Sequence, residues 1–195
     1  MYGSRLNSPS GRIVLTGLMA GLALLLELFV HFPLFAEYLL YSPGDVPVIV
    51  TSAVLGPAAG VMAAFVKAAL FVIMTGEGGP LGGLMHFVAS GGMVLVLGLL
   101  THRTRTSQWV LLPAAIVTRV ALMVPMNLLI TPIYTGLPVS VIAKTLVPVV
   151  IPFNAVHAGI NTLVSLVVLG LLPESIRRPG KTAAGRTNSG CTSVR

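Results

Sequence analysis

Residues 78–102, 120–143 and 145–173 carry no Asp, Glu, Lys or Arg, and the same holds for 13–26 and 46–66. Uninterrupted apolar runs of this length leave few foldable solutions. About 20 apolar residues cross the hydrocarbon core of a bilayer. A chain crossing it must satisfy its backbone internally, as a helix does. Composition agrees: 55% of residues are hydrophobic and 9% charged, against about a quarter charged in a soluble domain. Mean hydropathy is +0.94. The expected class is an all-α integral membrane protein, a six-transmembrane-helix bundle in the cell (plasma) membrane.

The apolar runs set the boundaries. A polar amino tail covers 1–11, a membrane domain 12–175, and a basic tail, expected to be disordered, 176–195. The first helix spans about Arg12 to His31, with Gly17 and Gly21 as a small-xxx-small pair. Residues 32–44 are aromatic and broken by proline, and read as an interfacial loop or short helix. The run from Asp45 to Met74 is too long for one span and breaks at Gly56-Pro57, since proline suits a helix start. That gives short helix 45–56 and longer helix 57–75. A turn at 76–80 follows, then helices over 81–101, 109–130 and 146–172, with a loop at 131–145 around Pro132, Gly136 and Pro138.

Charge placement supports the split. With six helices, Arg5 and Arg12, the 102–105 loop, and Arg177, Arg178, Lys181, Arg186 and Arg195 fall on one side. Glu37, Asp45 and Glu77 fall on the other. Basic loops favour the cytoplasm, so both termini are expected there. The net charge of +7 is therefore topological, and the basic residues form no surface for nucleic acid. No cleavable signal peptide is evident. The one cysteine, Cys191, leaves no intrachain disulfide.

Polar groups inside the last apolar run carry the functional argument. In Pro152-Phe153-Asn154-Ala155-Val156-His157-Ala158-Gly159-Ile160-Asn161, residues Asn154, Ala158, Asn161 and Ser165 share one helical stripe, with His157 on its shoulder. Such groups are costly in hydrocarbon and face a partner helix, a cavity or a ligand. Their plainest role is interhelical hydrogen bonding, worth about 0.6 kcal/mol per contact. Three together, beside the helix-loosening Pro148 and Pro152, point to a ligand site. Arg119, Met123 and Asn127 likewise share a face. Arg119 reads best as a structural cation bound to a carbonyl or carboxylate. Glu27 and Lys67 can form an ion pair, and His86 and Ser90 lie one turn apart.

Several chemistries are excluded. The four histidines lack ligand spacing with Cys or carboxylates, so no metal site is expected. There is neither His-Glu-x-x-His nor Gly-x-Ser-x-Gly, and no nucleophile–base pair, so the chain does not read as an enzyme. Gly180-Lys181-Thr182 mimics the end of a phosphate loop, but position 175 is Ser and no strand precedes it. With few buried carboxylates for a proton relay, the chain reads as a substrate-binding membrane subunit powered by other proteins.

Four stretches carry a resemblance. They are Asp45-Val46-Pro47 leading into Leu55-Gly56-Pro57-Ala58-Ala59-Gly60; Gly79-Pro80-Leu81-Gly82 with His86-Phe87-Val88-Ala89-Ser90; Asn127 with Pro132-Ile133-Tyr134; and Pro152-Phe153-Asn154-Ala155-Val156-His157. Across about 12–175 the chain resembles the S components of energy-coupling-factor (ECF) vitamin transporters, above all the riboflavin-specific ones. The resemblance implies a six-helix bundle with an outward-opening vitamin pocket, capped by the loop after the first helix. A separate coupling subunit and two ATPases would energise it, the S component toppling in the membrane to release its vitamin. In riboflavin members, asparagines at the positions of Asn127 and Asn154 hydrogen-bond the ligand, joined by a Lys where this chain has His157.

The candidate substrate contacts are thus Asn127, Asn154, His157, Asn161, Tyr41, Asp45 and His86, with Phe32, Phe35, Tyr38 and Tyr41 as apolar walls. The family's docking surface for the coupling subunit maps to Gly17, Gly21 and the adjacent Ala20. Riboflavin is the transported ligand, and no cofactor is expected. A neutral imidazole offers one donor and one acceptor where a lysine offers three donors. That leaves open an S component for a pterin, a queuosine precursor or pantothenate. A membrane scaffold whose polar face only joins helices is the alternative of a different class.

Overall fold

The computed structural model describes residues 8–34, 36–104, 107–173 and 176, with only the backbone at 36–38, 103, 104, 108 and 134. Phe35, Arg105, Cys191, the first seven residues and the expected carboxyl tail beyond Ile176 lie outside the described residues. So do the side chains of Tyr38 and Tyr134.

Helix α1 runs Pro9–Phe29 and starts earlier than expected, because Ser8 accepts a hydrogen bond from the Gly11 amide and Pro9 suits the first turn. Next comes a two-stranded antiparallel ribbon, β1 (Phe32–Leu34) and β2 (Ala36–Tyr41), pairing Phe32 with Tyr41 and Pro33 with Leu40. This corrects the expectation of a loop or short helix over 32–44; the fold is otherwise helical, as expected, with one small ribbon. The aromatic, β-favouring residues of Phe32–Tyr41 suit a ribbon better than a helix.

Helix α2 covers Asp45–Leu55 and α3 Pro57–Thr75, divided at Gly56 as the sequence implied. Helix α4 spans Gly79–Leu99, with a π-helical turn over Leu100–Thr104. Helix α5 is longer than expected, Gln108–Thr135. Pro132 lies inside it, and the helix stops at Gly136, whose φ of +70° suits a left-handed cap. The expected loop over 131–145 therefore shrinks to Gly136–Pro138. Helix α6 (Val139–Thr145) continues through a π-helical stretch, Leu146–Val150, into α7 (Ile151–Leu171). Pro148 sits in that wider stretch, where a missing amide is more easily accommodated than in an α-helix.

Five helical segments are long and apolar enough to cross a membrane: Pro9–Phe29, Pro57–Thr75, Gly79–His102, Trp109–Ile133 and Val139–Leu171. At 11 residues, α2 reaches only about 16 Å. It is nevertheless the central helix. All its residues except Ala53 are buried, and it contacts α1, α3, α4 and α7.

Lipid is as apolar as the side chains, so close packing and polar contacts join membrane helices. The core accordingly mixes small and large residues: Ala20, Ala23, Val48, Ile49, Ala63, Ala64, Met93, Val94, Leu97, Leu111, Ala115 and Ala158. Leu15 of α1, Val54 of α2, and Val168, Leu169, Leu172 and Ile176 around the end of α7 form a second cluster. The two ends of the described chain thus lie at one end of the bundle, opposite the ribbon.

Tightest contact occurs where α2, α3 and α4 meet. A Cβ at Gly60 would fall 2.8 Å from Ser52 Oγ, and one at Gly98 would fall 2.9 Å from the Pro57 Cα. Only glycine fits there. Ser52 Oγ donates to the Val94 carbonyl at 2.7 Å, and the Ser52 carbonyl meets His102 Nε2 at 3.2 Å. Arg12 donates to the Leu55 carbonyl, tying the start of α1 to the end of α2.

Candidate functional site

Asp45, the first residue of the central helix, is where the polar groups converge. It is 1% exposed. Its Oδ1 meets Lys67 Nζ at 2.7 Å and accepts from Ser90 Oγ at 2.5 Å, and its Oδ2 meets Arg119 NH1 at 2.5 Å. His157 Nε2 approaches Oδ2 at 3.4 Å. Lys67 Nζ also pairs with Glu27 Oε2 at 2.7 Å, and Glu27 Oε1 lies 3.3 Å from His86 Nδ1. Arg119 Nε donates to Asn154 Oδ1 at 3.1 Å. The knot therefore draws on α1, α2, α3, α4, α5 and α7, and two carboxylates balance two cations. A buried charge left unpaired would cost several kcal/mol, so the balance is a condition for these residues to exist in the bundle.

Above the knot sits the ribbon. The Tyr41 ring lies 5.2 Å from the His157 ring and 5.0 Å from Phe32, and Phe153 meets His157 edge-on at 5.5 Å. His157 is thus enclosed by aromatics on one side and by Asp45 on the other. Tyr41, in the ribbon, has its hydroxyl pushed above the usual tyrosine range of about 10, first by burial and then by the Asp45 charge.

The seven candidate contacts separate clearly. Asp45, Asn154, His157 and Tyr41 are joined directly or through Arg119. His86 touches the group through Glu27, stacks beside Phe71 at 4.9 Å and keeps a side chain 41% exposed. Asn161 lies one turn beyond His157, fully buried, donating to the Ser42 and His157 carbonyls at 3.1 and 3.0 Å. Asn127 stands apart: its amide donates to the Met123 carbonyl at 2.8 Å and accepts from Thr131 Oγ1 at 3.2 Å, all within α5. Met123 and Asn127 share the Arg119 face, but Asn127 is two turns along, about 12 Å.

Sequence reasoning underrated four residues. Glu27, Lys67, Ser90 and Arg119 hold the site together, and the available clue was that all the interior charges form a neutral set. Arg119 binds a carboxylate, and Glu27 pairs with Lys67, as the sequence allowed. The docking set needs one correction. Ala20 is wholly buried in the core, because it lies on the inward stripe with Ala23 and Glu27. Gly17 is exposed, and a Cβ at Gly17 or Gly21 would meet nothing within 4 Å.

Three buried polar atoms in α7 have no hydrogen-bond partner among the described residues: His157 Nδ1, Asn161 Oδ1 and Thr162 Oγ1. Thr162 lines a small apolar cleft with Ile49, Ala53, Leu97 and Leu111, and none of the seven candidates does. The Asn154 and His157 side chains under the ribbon lie apart from this cleft.

Residues 11–169 match the family model described as the ECF transporter substrate-specific component. The chain is 29% identical over 177 residues to the riboflavin transporter FmnP of Bacillus subtilis (strain 168), spanning 83% of this chain and 92% of that one. Its fold matches a solved S component of a bacterial ECF transporter with a TM-score of 0.69 and 22% identity, over 83% of this chain and 94% of the other.

Proposed function

This chain belongs to the substrate-specific components of ECF transporters, membrane subunits that serve vitamin uptake rather than catalysis, and from that premise we propose that its vitamin is riboflavin. The name of the Bacillus subtilis relative supports this choice. The observation that carries it on this chain is the pole beneath the ribbon. There the buried His157 Nδ1, without a partner among the described residues, belongs to a ring flanked by Tyr41 and Phe153, with Phe32 beside Tyr41 and the Asn154 amide one turn away. A flat heterocycle needs apolar faces and a few directed hydrogen bonds at its edge, and this pole offers both.

In this reading Tyr41, Asn154 and His157 meet the ring, and Asn127 completes the site from α5. Asp45 holds the pole together, while His86 and Asn161 support it. Entry requires the ribbon to lift from His157. Both termini face the cytoplasm, six helices cross the plasma membrane, and the membrane domain covers about 12–175 between two polar tails. Uptake is driven by two ATPases through a coupling subunit, which docks on the outward small-residue face of α1 at Gly17 and Gly21.

Titrating purified protein with riboflavin tests this reading. Quenched flavin fluorescence with submicromolar affinity is expected, and protein that never takes up flavin sinks it. A thermal-shift panel including a pterin, a queuosine precursor and pantothenate then identifies the replacement ligand, because the His157 imidazole offers one donor and one acceptor where a lysine offers three donors.

A further inference from the structure

The two ions that touch the site leave its hydrogen-bonding groups only one orientation each. Arg119 carries donors and no acceptor, so the Asn154 atom facing its Nε at 3.1 Å must be the carbonyl oxygen. This assignment does not depend on how the amide is drawn. One amide hydrogen of Asn154 goes to the Val150 carbonyl at 2.9 Å. The second has no partner among the described residues. On His157, the carboxylate of Asp45 faces Nε2 at 3.4 Å. A carboxylate favours a proton over a bare lone pair opposite it, which selects the Nε2–H tautomer of the neutral ring. Charge balance agrees, since Lys67 and Arg119 already neutralise Glu27 and Asp45. Nδ1, buried and without a partner among the described residues, is then an acceptor.

We infer that Asp45 and Arg119 are positioning residues that set the polarity of the binding edge. Asn154 presents a donor and His157, three residues on, presents an acceptor, so the ligand must carry a ring C=O beside a ring N–H. The imide edge of a flavin has this arrangement, and a ring with two adjacent acceptors does not. This inference rests on the riboflavin reading for its ligand but not for its geometry. Asn161 does not share the pattern: both its donors are committed to backbone carbonyls, leaving only Oδ1.

Two measurements test it. The first uses ligand-free wild-type protein in detergent, where the ring nitrogen resonances of His157 report the tautomer. Nε2–H is expected, and Nδ1–H overturns the inference whatever the ligand. The second compares riboflavin with an analogue methylated at the imide nitrogen and with analogues whose imide carbonyl oxygens are replaced, in turn, by sulfur. Wild type should bind the methylated analogue at least about tenfold more weakly, the scale of a buried acceptor left unpaired. It should disfavour one of the sulfur analogues by several-fold.

His157→Phe should abolish the methyl penalty alone. Arg119→Lys, which keeps a cation beside Asp45, should abolish the sulfur penalty alone. A merely structural role would shift all ligands together, and that result overturns the inference, as does equal binding of riboflavin and its methyl analogue by wild type. Protein that binds no flavin sinks the riboflavin reading instead, and the tautomer alone then decides the orientation.

Discussion

The two ends of the central helix are held by opposite means. At its start, Asp45 is gripped by Lys67, Ser90 and Arg119. Near its end, Ser52 is wedged between Gly60 and Gly98, where backbones approach too closely for any side chain. The charged end depends on direction and pairing, and its members retain unused hydrogen-bonding capacity in Asn154 and His157. The glycine end depends on close backbone packing, and its printed polar contacts, Ser52 with the Val94 carbonyl and Arg12 with the Leu55 carbonyl, go to backbone carbonyls. In a bilayer both devices join helices, and the first can also recognise something.

Breaking the charged end should have the largest effect. Lys67→Met takes the cation from Glu27 and leaves Asp45 with Arg119, so one negative charge in the bundle goes unbalanced, and we expect a loss of about 3–5 kcal/mol, read as a large fall in melting temperature in detergent. A variant as stable as wild type would show that the ions do not hold the bundle.

At the glycine end, Gly98→Val should cost about 1–3 kcal/mol by overpacking. Flavin affinity in whatever protein folds should stay near the wild-type value. A selective loss of binding there would blur the division between the two ends.

Asn154→Ala should weaken riboflavin by about 1.5 kcal/mol or more, since a buried partner is left unsatisfied. Calorimetric titration gives the value, and unchanged affinity would move the ligand elsewhere.

Tyr41 probes the ribbon that covers the charged end. Its hydroxyl is raised above about 10 in the folded protein. The unfolded chain therefore ionises first, and stability falls as pH rises beyond that value. Tyr41→Phe should flatten this alkaline decline, and identical pH profiles for the two proteins would refute the assignment. The smallest effect on stability, under about 0.5 kcal/mol, is expected for Gly17→Leu, whose side chain would enter open space. Binding should persist while uptake by cells falls, if Gly17 meets the coupling subunit.

Much of the architecture could be read from residue order. The helix boundary at Gly56-Pro57 and the helices around it follow from hydropathy and proline placement, which are local. The ribbon over Phe32–Tyr41 was harder, since a short aromatic run fits several local structures. Pro132 misled because proline commonly ends a helix in water, whereas here the membrane helix runs past it to Thr135.

The sequence by itself determined that the chain lives in a bilayer, where its helices run, and that amides and an imidazole sit in the last one, because each follows from neighbours along the chain. Only the tertiary structure decided which charges meet. Asp45 and Arg119 are 74 positions apart, and no periodicity links them. Their pairing emerges when six helices must bury two acids and two bases without a net charge, and that pairing turns Asn154 and His157 into a donor and an acceptor.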